Sequence, residues 1–191
     1  MHFNNKPQLF ILNELSLVKV AKTGDKKAQE AIYALYADRM YRLCYRYIRN
    51  QEDAEDVLIL AFTKVLEKIK EFEWRGEGSL EAWVRQVVVN ESLMWLRRRH
   101  NFHLTETWSG QEVDPDISVL SELEAEDIYR MIGELPQGYR TVFNLSVIEG
   151  YSHQEIADLL KISISTSRTQ LFKAKAHLKI RLTKEGFNYG T

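Results

Sequence analysis

From Lys161 to Lys184 the chain carries seven basic residues and no acid. Within that run Arg168, Thr169, Gln170, Phe172 and Lys173 are side chains of the types that read duplex DNA. Arg and Lys pair with phosphates or guanine edges, Gln pairs with adenine, and an aromatic ring or a Thr methyl meets the thymine methyl. Lys175 and Lys179, further along, suit phosphate. A second group lies in "EFEWRGEGSLEAW", residues 71–83, where Trp74 and Arg75 share a glycine-containing loop. An aromatic beside a guanidinium makes a platform on which an unpaired base can stack. Arg97 and Arg98, at the end of the helix that follows, suit both a helix C-terminus and a phosphate backbone.

A third group has no base-reading chemistry. In "NQEDAEDVLILAFTKVLEKIKEF", residues 50–72, one helical face carries Leu58, Phe62, Val65, Leu66 and Ile69. Asp53, Val57, Leu60, Lys64 and Glu67 project from the opposite face, so aliphatic side chains stand among charges there. An apolar centre with a charged rim is the make-up of a protein-docking surface.

Catalytic chemistry finds no support. There is no glycine-rich phosphate loop, no nucleophile elbow and no cluster of metal ligands, so the expectation is a protein that is not an enzyme, with no catalytic residue, metal or cofactor and no small-molecule substrate. The single cysteine, Cys44, excludes an internal disulfide and fits a reducing compartment. His100 and His103 form an H-x-x-H without further ligands at metal spacing. The short "LFIL" near the start is interrupted by Asn13 and Glu14, and no segment has the length of a bilayer span; a cytoplasmic protein with no membrane insertion is expected.

Apolar residues recur at three- and four-residue spacings and prolines are few, which predicts an all-α protein. Helices are expected at about 15–23, 26–49, 52–71, 79–99, 119–134, 136–148, 152–160 and 164–183. "VRQVVVN" at 84–90, rich in β-branched residues, leaves a local strand ambiguity. Ser152 and Glu155 have capping-box spacing, and a second cap at Ser163 or Ser165 gives a helix-turn-helix layout, with Lys161 where the turn commonly has glycine. Projected at 100° per residue, the second helix buries Ile164, Ser167, Leu171, Ala174 and Leu178. Thr169, Phe172, Lys173 and Ala176 then face away, with Arg168 and Gln170 on the flanks.

Charge divides the chain. Residues 1–100 hold 17 Lys/Arg against 14 Asp/Glu, residues 101–129 none against 8, and residues 130–191 hold 9 against 5. Two small helical domains are expected, 1–100 and 119–191, joined by an acidic linker at 101–118 and the second containing the helix-turn-helix.

Three stretches, "YRYIRNQEDAEDVLILAFTKVLEKI", "WRGEGSLEAWVRQVVVNESLMWLRRR" and "LPQGYRTVFNLSVIEGYSHQEIADLLKISISTSRTQLFKAKAHL", resemble in order and spacing the two regions of an extracytoplasmic-function type RNA polymerase sigma factor. The resemblance implies a first domain that binds the β′ clamp helices of core RNA polymerase and opens the minus-10 element. It implies a second domain that sits on the β flap and reads the minus-35 element of promoter DNA. Asp53, Asp56 and Leu60 match the polymerase-binding surface, with Ile59-Leu60 standing where the family commonly has Gln-Glu. The loop from Trp74 through Arg75 to Ser79, together with Asn90, matches the site that holds a flipped base of the non-template strand. Arg168, Thr169, Gln170, Phe172 and Lys173 match the minus-35 reading positions. An anti-sigma factor is a further partner the resemblance brings into view. The alternative is a free-standing helix-turn-helix regulator, which needs neither the aliphatic docking face nor the Trp-Arg loop and would normally act as a dimer on symmetric sites.

Overall fold

The computed structural model describes residues 13–99 and 125–184, and every regular element in them is helical. The expected linker at 101–118, the start of the helix expected from 119, and the His100 and His103 pair lie outside the described residues. The chain divides into two compact units between Trp95 and Leu96.

In the first unit, α1 (Glu14–Lys22) begins where the Asn13 side chain accepts the Ser16 backbone N–H, and ends before Gly24 in the left-handed region. Asp25 then caps α2 (Lys26–Ile48) by accepting the Ala28 N–H at 2.8 Å. Arg49 takes a left-handed conformation and Asn50 caps α3 (Gln51–Lys68), so a two-residue corner turns α3 back along α2. Such caps satisfy N–H groups that the first turn leaves without an intrahelical partner. α4 (Ser79–Arg99) settles the ambiguity at 84–90 in favour of helix. Its Val84, Val88 and Val89 lie in the core with Leu80 and Leu93, where each fully buried aliphatic side chain contributes about 1.5–3 kcal/mol. Cys44 is also buried, and burial pushes its thiol up to about 12, leaving it protonated and unreactive.

In the second unit, α5 (Ala125–Gly133) and α6 (Gln137–Phe143) meet at a tight turn. Arg140, buried, donates from Nη1 to the Leu135 carbonyl at 2.9 Å and the Gly133 carbonyl at 3.3 Å, replacing the partners that the end of α5 lacks. The expected continuous helix from 136 to 148 is α for its first part and then widens into a π turn over Asn144–Ile148. That turn closes on Gly150 at φ 79°, with the Tyr151 N–H reaching the Leu145 carbonyl. α7 (His153–Leu160) and α8 (Ile164–Lys184) follow. Met131, Ile132, Leu135, Phe143, Ala174, Leu178 and Leu182 form the core cluster, which holds α8 as the central strut of the unit.

Between α7 and α8, Lys161 supplies the left-handed residue usually given to glycine, at φ 58° and ψ 47°. An L side chain in that region costs about 1–2 kcal/mol, part of which glycine would return through its looser unfolded chain. Lys161→Gly is therefore expected to raise stability by up to ~1 kcal/mol, read as a higher urea midpoint at unchanged slope.

Candidate nucleic-acid interface

α7 opens with the capping box that its sequence predicts. Ser152 Oγ accepts the Glu155 N–H, and Glu155 Oε2 accepts the Ser152 N–H at 2.8 Å and its hydroxyl at 2.7 Å. These bonds from Ser152 hold the Glu155 carboxyl below the usual range. At the next corner Ser163 caps α8, accepting the Thr166 N–H at 2.9 Å. His153 Nδ1 lies 2.9 Å from Ser167 Oγ, pinning the start of α7 to α8. Burial first, then the Arg168 and Lys175 charges, lower the His153 pKa.

α8 is rotated relative to the projection. Its buried side is Thr166, Ser167, Gln170, Lys173, Ala174, Leu178 and Leu182, while Ile164 is exposed and Leu171 half-buried. Gln170 is 2% exposed and Lys173 6% exposed, so neither stands on the outward side where it was expected. Short side chains at 166, 167 and 174 let the helix seat closely, and this brings the neighbouring polar residues inside. Lys173 Nζ lies 6.0 Å from the centroid of the Tyr139 ring of α6, a cation over an aromatic face. Gln170 Oε1 is buried with no hydrogen-bond partner among the described residues.

What remains outside is coherent. Arg168 and Lys179, exposed, and Phe172 and Lys175, half-buried, stand at i, i+11, i+4 and i+7 along one side of the helix, with Thr169, also half-buried, beside them. A stripe of three cations and one aromatic, with no acid on α8, can lie along a phosphate backbone and present Arg168, Thr169 and Phe172 to base edges.

In the first unit, Asp56 and Leu60 are exposed on α3 and Asp53 is half-buried. Ile59 at 58% and Leu60 at 51% exposure form an aliphatic step on the surface. Val57 does not belong to it. Expected on the same face, it is 1% exposed, buried like its neighbour Leu58 on the side of α3 that the unit covers. Lys64 extends to Glu91 of α4 at 2.7 Å.

The loop before α4 carries Trp74, half-buried with its indole N–H sequestered and without a hydrogen-bond partner among the described residues, and Arg75, whose side chain is 80% exposed and pairs with Glu73 at 3.3 Å. Ser79 Oγ accepts the Arg75 backbone N–H at 3.2 Å. Asn90, half-buried, stands 11 residues beyond Ser79 on α4 (90 − 79), about 16 Å along the axis. One base cannot touch both Ser79 and Asn90; a run of several nucleotides can. Arg97 and Arg98 are exposed on the last turn of α4.

Sequence reasoning missed what fastens this loop. Glu14, the first residue of α1, accepts the Gly78 N–H at 2.8 Å and the Leu80 N–H at 2.9 Å, and the Ser79 hydroxyl at 3.2 Å. One residue on, both carboxylate oxygens of Glu81 accept from Nη1 of Arg39 of α2, at 2.8 and 2.9 Å. Tyr36 is buried nearby, and burial, then the Glu14 and Glu81 carboxylates, push its hydroxyl up to about 12. Contacts spanning 64–66 residues leave no local sequence signal.

No helix among the described residues is long and apolar enough to cross a membrane. Two family profiles match the chain: Sigma-70 region 2 over residues 32–102, and Sigma-70, region 4 over residues 125–178. The chain is 29% identical over 178 residues to the ECF RNA polymerase sigma factor SigW of Bacillus subtilis, covering 86% of this chain and 94% of the relative. It is 28% identical over 171 residues to the ECF RNA polymerase sigma factor SigE of Mycolicibacterium smegmatis, covering 85% and 65%. Among solved structures, the sigma factor RpoE in complex with the anti-sigma factor NepR from Bartonella quintana shares the fold at a TM-score of 0.50 and 18% identity, covering 81% of this chain and 96% of that one.

Proposed function

Because the chain belongs to the extracytoplasmic-function group of the sigma-70 family, we propose that it is a specificity subunit that binds core RNA polymerase and directs initiation at promoters with its own minus-10 and minus-35 elements. The observation that carries this reading is the pairing of two unlike surfaces, an aliphatic step with a Trp-Arg loop in the first unit and an acid-free cationic stripe in the second. A free-standing helix-turn-helix regulator would account for the second unit alone, and residues 32–102 match the first region of the same family.

In this reading residues 1–100 and 119–191 are the two functional domains, and the acidic stretch 101–118 connects them through positively charged channels of the polymerase. Asp53, Asp56, Ile59 and Leu60 meet the β′ clamp helices. Trp74, Arg75 and Ser79 receive an extruded base, Asn90 meets a more distant nucleotide of the same strand, and Arg97 and Arg98 meet its backbone. Arg168, Thr169 and Phe172 face the minus-35 bases and Lys175 and Lys179 its phosphates, while Gln170 and Lys173, on the buried side of α8, touch no base. The protein performs no chemistry itself; phosphodiester synthesis belongs to the polymerase. It works in the cytoplasm, with an anti-sigma factor as the partner that competes for it.

The test is a pull-down with purified core polymerase followed by run-off transcription from the chain's own upstream region. A specific transcript that requires both the chain and core polymerase is expected. Duplex binding by the isolated chain with no effect on polymerase would favour the free-standing regulator instead.

A further inference from the structure

Glu14 lies outside the segments matched by either family profile, yet both of its carboxylate oxygens are engaged with the loop before α4. Oε2 accepts the Gly78 N–H at 2.8 Å; Oε1 accepts the Leu80 N–H at 2.9 Å and the Ser79 hydroxyl at 3.2 Å. Ser79 Oγ in turn accepts the Arg75 backbone N–H at 3.2 Å. An unbroken series of hydrogen bonds therefore runs from α1 to the residue next to Trp74.

The loop needs such a fastening. Gly76 at φ 124° and Gly78 at φ 83° adopt conformations that only glycine holds at low cost, and neither has a side chain to anchor it. A carboxylate accepting several N–H and O–H bonds is among the stronger polar ties available. The Arg39 to Glu81 pair adds a second tie one residue further on, fixing the first turn of α4 against α2.

We infer that Glu14 is a positioning residue for promoter opening: its carboxylate holds the backbone of residues 75–80 in the arrangement in which Trp74 and Arg75 capture the extruded base. The inference rests on the proposed role of that loop and adds to it a residue from a separate helix. Glu14 touches no DNA. It acts through Ser79 and the loop backbone, so its removal should be felt only where a base is captured.

The experiment measures binding of non-template-strand oligonucleotides to the holoenzyme, using the intact minus-10 sequence and a set in which each position in turn is abasic. Wild type should lose affinity at the captured position. Glu14→Ala should bind the intact strand about tenfold more weakly, within the range that stacking of one base provides, and should show no further loss when that base is removed. Glu14→Gln, which keeps one acceptor oxygen but places an amide NH2 against backbone donors, should fall between the two; it carries the test if the alanine variant does not fold. Either variant keeping the full wild-type abasic penalty would overturn the inference and reduce Glu14 to a contributor to stability. Wild type indifferent to every abasic site would instead overturn the reading of the loop, and this inference with it.

Discussion

Arg168→Ala in the holoenzyme should cut discrimination between the cognate minus-35 element and a scrambled one by about 5- to 150-fold, the 1–3 kcal/mol carried by one bidentate base contact. Arg168 is exposed at the head of the cationic stripe, and its charge helps to lower the pKa of His153, which places it beside the start of α7. Lys179→Ala should behave differently, weakening both sequences alike and reducing the salt slope by roughly one phosphate contact. Gln170→Leu supplies the internal contrast. Its side chain is buried with a carbonyl oxygen unpartnered among the described residues, and replacing such a group with an apolar one of similar shape is near neutral or stabilising. Preference should survive it. If Gln170→Leu erases the preference while Arg168→Ala leaves it intact, the seating of α8 described above is wrong. Paired affinities across a salt series decide the matter.

Leu60→Glu should lower affinity for core polymerase about thirtyfold or more, the ~2 kcal/mol that marks a central interface residue. The free protein should barely register the change, within about 0.5 kcal/mol, because half of the Leu60 surface already faces water. At an interface the same carboxylate would have to be desolvated against an apolar centre. Val57→Glu, three residues earlier on the same helix, should do the reverse and unfold the first unit, since Val57 is 1% exposed. Thermal melts of both variants, with a binding titration of Leu60→Glu against core polymerase, separate docking from folding. A large loss of stability at unaltered affinity would place Leu60 in the core.

The elements were legible because their signals are local. The Ser152 and Glu155 box spans three residues, the break near Lys161 interrupts a clear apolar period, and α4 is apolar on most sides, so helix survives its β-branched run. The face a helix turns inward was less legible, because its neighbours decide that. α8 offers no continuous apolar stripe: Thr166, Gln170 and Lys173 lie on its buried side with Ser167, and a projection guided by hydrophobicity placed Ser167 correctly but chose Ile164 and Leu171 over the other three. Val57 was misplaced for a related reason, since the buried side of α3 includes Ala54, Val57 and Ala61 as well as the stripe of Leu58, Phe62 and Val65. The residues proposed for docking and base capture were proposed by residue type and resemblance, whereas Glu14 was not, because an acid at the start of a helix reads as a companion of its own helix dipole. Only the fold brings it to residues 78–80.

The first turn of α7 makes the DNA-reading unit proton-sensitive. His153 has its pKa lowered by burial and by Arg168 and Lys175, so the folded state disfavours a proton that the unfolded chain accepts. Stability attached to this residue is complete above the ordinary histidine value of about 6.5 and declines as pH falls below it. Glu155, lowered by its bonds from Ser152, contributes above the ordinary carboxylate range, and that contribution is lost as pH falls through its depressed folded value. Both slopes have the same sign, histidine first and carboxylate later, and they meet in one turn of helix. Acidification should therefore loosen the junction of α7 and α8 in two steps, and His153→Gln should remove the earlier step from a urea-midpoint titration while leaving the later one in place.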